Sequence, residues 1–196
     1  MPDWQETDQR VLDEDHQYDL LLIQKIQDGD TDAFGDLYER YYTPVFRFVC
    51  SRLGSQLDAE DLVAEIFVRV WRSLPGYKQQ GAPFVAYLFR IARNALIDHF
   101  RRNRHYKNET SLEDTIASDG RPGPADMVLV SLQNEEVRQV LESLRDDYRT
   151  VLELRFFAEL SPEETAEVMK KSPGAVRVLQ HRALVALRKQ LDHKRP

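Results

Sequence analysis

Between Leu160 and Arg182 the chain writes out two short helices and the tight turn between them. Ser161 stands where it caps a helix, Pro162 suits the first helical position, and Glu164 completes an S-x-x-E capping box. That helix closes near Lys170-Lys171, whose cations suit the negative end of its dipole. Ser172-Pro173 opens a second helix at once. Two helices on so tight a turn form a helix-turn-helix, a unit whose second helix lies in the major groove of DNA. At roughly 100° per residue, Val176, Leu179, Ala183, Ala186 and Leu187 gather on one side of it. Arg177, His181 and Arg188 gather on another, flanked by Val178, Arg182 and Lys189. A surface helix with a solvated basic face would share this periodicity, but the capped turn before it favours a DNA reader.

A net charge of −6 argues at first against a nucleic-acid partner, but the charge is unevenly placed. Residues 1–17 hold six acids against one Arg, and residues 107–131 hold five acids against two cations. The blocks 18–106 and 132–196 are each near neutral, with twelve Lys or Arg against eleven acids. Local basic patches, not total charge, steer binding to DNA. Cys50 is the single cysteine, which excludes an internal disulfide framework and a cysteine zinc finger. Its place in Val45-Phe46-Arg47-Phe48-Val49-Cys50 marks it as a small buried residue. There is no apolar run of spanning length, and the acidic start is unlike a signal peptide, so the expectation is a cytoplasmic protein without membrane insertion.

No strand alternation appears, so the fold class is all-α: two helical domains joined by a flexible acidic linker. Residues 1–17 read as a mobile acidic tail, 18–106 as the first domain, 107–131 as the linker with Gly120, Pro122, Gly123 and Pro124, and 132–196 as the second domain. In the first domain, helices are expected over 19–28, over 31–52 with a cap at Thr31 or Asp32 and a bend or break near Pro44, over 58–74, and from Pro83 to about Arg104. The second domain adds helices near 132–143, 146–157, 161–170 and 173–191.

Two first-domain helices carry informative faces. On the 58–74 helix, Leu62, Val63, Ile66, Phe67, Val70 and Leu74 form a core stripe, and Asp61, Glu65, Val68 and Arg72 fall opposite. Asp61 and Glu65 have no evident Lys partner four residues on. With no histidine or third carboxylate at ligand spacing, they suit partner docking or a solvated face rather than metal. On the helix from Pro83, Val85, Phe89, Ala92, Ala95, Leu96 and Phe100 form the core side. Tyr87, Arg90, Asn94, Asp98 and Arg101 share another face, and Arg102, Arg104, His105 and Lys107 extend its cations. An aromatic, two cations and an amide on one face suit single-stranded nucleic acid.

These pieces occur in a familiar order. Asp58 to Trp71 resembles the polymerase-docking helix of sigma-70 family initiation factors, and Phe84 to Arg102 resembles their −10 recognition helix. Arg149 to Phe157, followed by the helix-turn-helix, resembles their −35 domain. The short linker with no middle domain resembles the extracytoplasmic-function (ECF) subgroup, over residues 18–191. The resemblance implies a transcription initiation factor that binds core RNA polymerase and directs it to promoters through −35 and −10 elements, promoting melting. It implies docking on clamp helices of the largest core subunit through Asp61, Glu65, Val68 and Arg72. It implies capture of a flipped −10 base by the Tyr77–Gln80 loop, with Tyr77, Lys78, Gln79, Tyr87, Arg90, Asn94, Arg101 and Arg102 on that surface. The −35 duplex would meet Ala175, Arg177, Val178, His181, Arg182 and Lys189, while the second domain sits on the flap of the other large subunit and the linker threads toward the RNA exit. An anti-sigma factor is implied as a partner covering the docking surfaces; no cofactor, metal or catalytic residue is implied. Ala64, Tyr87, Ala175 and Val178 to His181 depart from common family residues, so the −35 sequence does not transfer from other members; Arg145 for a frequent Pro reads as neutral. Two rival readings are a helix-turn-helix response regulator or repressor acting without polymerase, and a carboxylate-metal enzyme using Asp58, Glu60, Asp61 and Glu65.

Overall fold

A computed structural model describes the backbone of residues 4–79, 81–109 and 135–194, and the side chains of 14–79, 81–103 and 137–192. Gln80, residues 110–134 with the 110–131 part of the expected linker, and the side chains of Arg104, His105 and Lys107 lie outside the described residues. The described residues are helical, with no strand among them. Four helices come first: α1 (Trp4–Gln27), α2 (Ala33–Leu53), α3 (Gln56–Ser73) and α4 (Phe84–Glu109). Then follow α5 (Glu135–Ser143), α6 (Asp146–Leu152), a π-helical turn (Glu153–Phe157), α7 (Pro162–Met169) and α8 (Pro173–Lys194).

Three boundaries differ from expectation. α1 starts at Trp4 rather than near Asp19, because no Gly or Pro interrupts residues 4–27 and its Glu, Gln, Arg and Leu residues favour helix. α2 runs through Pro44 as one helix. Proline removes one ladder bond, while Val45, Phe46, Phe48 and Val49 around it are all buried. The start of α2 is capped by neither Thr31 nor Asp32: Asp30 Oδ1 accepts from the backbone N–H of Asp32 at 3.0 Å and of Ala33 at 3.4 Å. Gly54 then ends α2 at φ 70°, a left-handed conformation that suits glycine, and its N–H returns to the Cys50 carbonyl.

Phe48, Phe84 and Phe89 are fully buried at the centre of α1–α4, and the Phe48 and Phe89 rings meet edge to face at 5.5 Å. Each such burial contributes about 1.5–3 kcal/mol. Cys50 is buried and unpaired as expected, and burial pushes its thiol up. Phe100 departs from the expected core stripe: it is 41% exposed. Leu154, Ala158, Leu160 and Val168 of the C-terminal half belong to this same core, while Leu141, Val151, Leu152, Ala166, Val176 and Ala183 form a second one. The helix expected over 146–157 widens into the π-turn after Leu152, burying Glu153 and Leu154 completely and leaving Phe156 54% exposed.

The seam between the halves is ionic as well as apolar. Glu153 accepts from Arg52 Nε at 2.5 Å and Arg149 Nε at 2.6 Å. Arg52 also donates to Asp146 at 2.9 Å and to Thr150 at 2.7 Å, and Arg149 donates to the Ser51 carbonyl at 2.9 Å. Burial pushes the Glu153 carboxyl up, and the two guanidiniums pull it back. Removing one partner of such a buried set leaves an uncompensated charge.

Candidate nucleic-acid interface

The helix-turn-helix forms as its sequence dictates. Ser161 Oγ accepts from Glu164 N at 3.1 Å and Glu164 Oε2 accepts from Ser161 N at 2.7 Å, so both arms of the capping box are made. Lys170 closes α7 in the left-handed region at φ 54°, and Ser172 Oγ caps α8 through Ala175 N at 3.2 Å. Arg155 clamps the unit from behind, donating to the Leu160 carbonyl and to Gln180 Oε1 at 3.1 Å. Val176 and Ala183 are fully buried, which turns Ala175, Arg177, Val178, His181, Arg182 and Lys189 outward, all exposed. Arg177 meets Glu163 of α7 at 2.6 Å, an ion pair exposed on both sides. Exposed pairs contribute only about 0–1 kcal/mol, so this one holds Arg177 weakly.

On α4, Tyr87, Arg90 and Asn94 do share a face. It opens into a cleft of about 450 Å³ lined on the other side by Val168 and Met169 of α7 and by Lys170, which caps that helix. A second hollow of about 210 Å³ is lined by Gly76, Tyr77, Lys78, Ala82, Tyr87 and Arg90, so the loop after α3 and the α4 face build one concavity. The Tyr77 ring packs edge-on against Phe84 at 5.7 Å and Tyr87 at 5.0 Å, and Arg90 lies over the Tyr87 ring at 5.7 Å. Lys78, Gln79 and Asn94 remain exposed.

The α3 face needs a correction. Glu65 does have an intrahelical partner four residues on, Arg69 at 2.6 Å, an arginine where only a lysine was sought. Its other oxygen takes Arg102 at 3.2 Å, and Arg69 also meets Asp98, which meets Arg101. The charges Arg102, Glu65, Arg69, Asp98 and Arg101 therefore alternate across α3 and α4. The Arg69 bond holds the Glu65 carboxyl below its usual range. Asp61, Val68 and Arg72 are exposed as expected. Sequence reading missed an aromatic ridge beside them: Trp71 and Tyr38 are each 37% exposed, with Trp71 against Phe34 at 4.9 Å and Tyr38 against Phe67 at 4.6 Å. Its trace in the sequence is Val68-x-x-Trp71, one helical turn apart.

Among the described residues no three His, Cys, Asp or Glu side chains group as a metal site, and no helix is long and apolar enough to cross a membrane. The molecule is thus a DNA-reading helix-turn-helix joined to a helical domain with a polar concavity and a mixed acidic and aromatic face. Residues 37–106 match the family model for sigma-70 region 2, and residues 134–187 match that for sigma-70 region 4. The chain is 37% identical over 181 residues to the ECF RNA polymerase sigma factor BldN of Streptomyces coelicolor, covering 92% of this chain and 69% of that one. It is 34% identical over 175 residues to the ECF sigma factor ShbA of Streptomyces griseus, covering 85% and 92%. The solved structure of CnrH in complex with the cytosolic domain of CnrY superposes with a TM-score of 0.68 at 25% identity, covering 90% of this chain and 99% of that one. The chain belongs to the sigma-70 family of RNA polymerase sigma factors, in its ECF group. It is a transcription initiation factor, of a family that is not enzymatic, and the repressor reading falls away.

Proposed function

We propose that the chain acts in the cytoplasm as a two-part promoter reader, with residues 18–106 and 132–196 as the parts, 1–17 as a tail and 107–131 as the linker. The first part docks on the largest core polymerase subunit through Asp61, Glu65, Val68 and Arg72. It then holds the melted −10 strand with Tyr77, Lys78, Gln79, Tyr87, Arg90, Asn94, Arg101 and Arg102. The second part sits on the other large subunit and reads the −35 duplex with Ala175, Arg177, Val178, His181, Arg182 and Lys189. The concavity shared by the Tyr77 loop and α4 carries this reading most directly. A base turned out of the duplex finds aromatic rings and a cation there, groups that stack on bases and hold phosphate. The chain itself catalyses nothing and acts by binding. An anti-sigma factor covering the docking surfaces is its natural antagonist, a reading supported by CnrH, which was solved in complex with the cytosolic domain of CnrY.

The test is run-off transcription with core polymerase on the promoter upstream of the protein's own gene, paired with co-purification. Asp61→Lys with Glu65→Lys should abolish core binding at unchanged helical content, because reversed charges at an interface cost on the order of several kcal/mol. Normal assembly by the double variant would overturn this docking face.

A further inference from the structure

α1 lies ahead of the matched region 2 segment, which begins at residue 37, and the reading above gives it no task. Its place in the fold is nevertheless firmly set. Leu22, Ile23 and Ile26 are buried, and Tyr41 of α2 donates to the buried Asp19 carboxylate. Arg40 of α2 bridges Asp15 at 2.7 Å and Asp19 at 3.2 Å. From this fixed position α1 reaches the Tyr77 loop twice. Gln27 Nε2 donates to the Leu74 carbonyl at 2.8 Å and to the Tyr77 carbonyl at 2.9 Å, spanning the 3-10 turn Leu74–Gly76. Three turns earlier, His16 Nε2 lies 2.9 Å from the Gln79 side-chain amide.

We propose that α1 is a splint for the −10 loop, with Gln27 the positioning residue that fixes where Tyr77 stands and His16 a second, weaker tether at Gln79. This rests on the reading of the Tyr77 loop given above. The Leu74 carbonyl already accepts the Tyr77 N–H at 3.0 Å, which closes the turn, so Gln27 gives it a second donor and gives the Tyr77 carbonyl one as well. A single amide nitrogen that serves both carbonyls ties together the two ends of the turn. The Tyr77 ring is thereby held against Phe84 and Tyr87, leaving the hollow beside Arg90 open for a base. Pre-placing a binding loop removes ordering cost from the bound state, so the splint acts on strand capture rather than on assembly.

The variants are made in the full chain and assembled with core polymerase, on a promoter selected by the wild-type holoenzyme from a randomised library and carrying a fluorescent base in the −10 element. Gln27→Glu keeps size and shape but turns an acceptor toward two carbonyls. It should slow opening about tenfold, as expected for the loss of one to two hydrogen bonds. Gln27→Lys restores donors at similar reach and should open within about twofold of wild type, and His16→Ala should lose about twofold. Core assembly and binding of a −35 duplex should stay unchanged in all three. Wild-type opening by Gln27→Glu, while Tyr77→Ala opens slowly, would overturn the splint and leave the loop reading intact. Equal losses of opening and of core assembly in Gln27→Glu would also overturn it, because Gln27 would then serve the fold as a whole. Wild-type opening by Tyr77→Ala would bring down the loop reading itself, and the splint with it.

Discussion

α4 and α8 are both long amphipathic helices assigned here to DNA, yet their polar faces are in opposite states. On α8, Arg177, Val178, His181 and Arg182 stand in solvent, with Arg177 held only by its exposed pair with Glu163. On α4, Tyr87 and Arg90 are half-buried beneath α7, and Arg101 and Arg102 are tied to Asp98 and Glu65. The face proposed for the −35 duplex stands free, while the face proposed for the −10 strand is a hollow partly walled by α7. The difference follows from what each helix packs on. α8 shows its core only the narrow stripe around Val176 and Ala183. α4 is covered by α2 and α3 and also by α7.

The sharpest way to break this contrast is at the seam. Arg52→Ala leaves Glu153 buried with Arg149 alone and should lower the unfolding free energy by about 3–5 kcal/mol. The same truncation at Arg177 should change it by less than about 1 kcal/mol, as for other exposed pairs. Urea unfolding of the two variants side by side decides the matter, and similar losses would erase the distinction between buried and exposed restraints. A smaller effect is expected where α1 meets α2. Burial lifts the Asp19 carboxyl from 3.8 to about 6, against the pull of the Tyr41 hydroxyl and Arg40. A raised native value means stability is fullest below about pH 4 and is lost as pH rises through about 6, by roughly 2–3 kcal/mol from this one group. Asp19→Asn should flatten that part of the profile, read as the difference between variant and wild-type unfolding midpoints at pH 4, 5, 6 and 7. A constant difference would assign the pH dependence elsewhere. Smallest in energy is the recognition helix: Arg177→Ala should weaken −35 binding by about 1–3 kcal/mol and relax preference at one or two positions. Lys189→Ala should weaken binding without changing preference. Identical sequence logos for wild type and Arg177→Ala from a saturated promoter library would reduce Arg177 to a phosphate contact.

What could be read without coordinates was local. The capping box at Ser161 and Glu164 needs only three residues, and it formed as written. The stripe Leu62, Val63, Ile66, Phe67 and Val70 needs only helical period, and all five are buried. Pro44 misled because its local penalty was weighed without the burial around it. The partner of Glu65 at Arg69 was within reach of the same periodicity, but Arg102, thirty-seven residues on, was not. Nor could any pattern announce that Arg52 meets Glu153 across 101 residues, or that Gln27 meets Tyr77 across 50. Such contacts depend on how helices stack, and the stacking is decided by the whole core.

The shared core has a calorimetric consequence. Elements named for positions −35 and −10 lie about 25 base pairs apart, roughly 85 Å along the duplex at 3.4 Å per step. On the reading proposed above, two readers joined through Leu154, Ala158, Leu160 and Val168 would have to part to reach both elements, and parting them would uncover those aliphatic side chains. Hydrating apolar surface raises heat capacity, whereas covering it lowers heat capacity. Holoenzyme formation on a promoter would then carry two opposed contributions, and its net heat-capacity change is expected to be less negative than the area sealed against polymerase alone would imply.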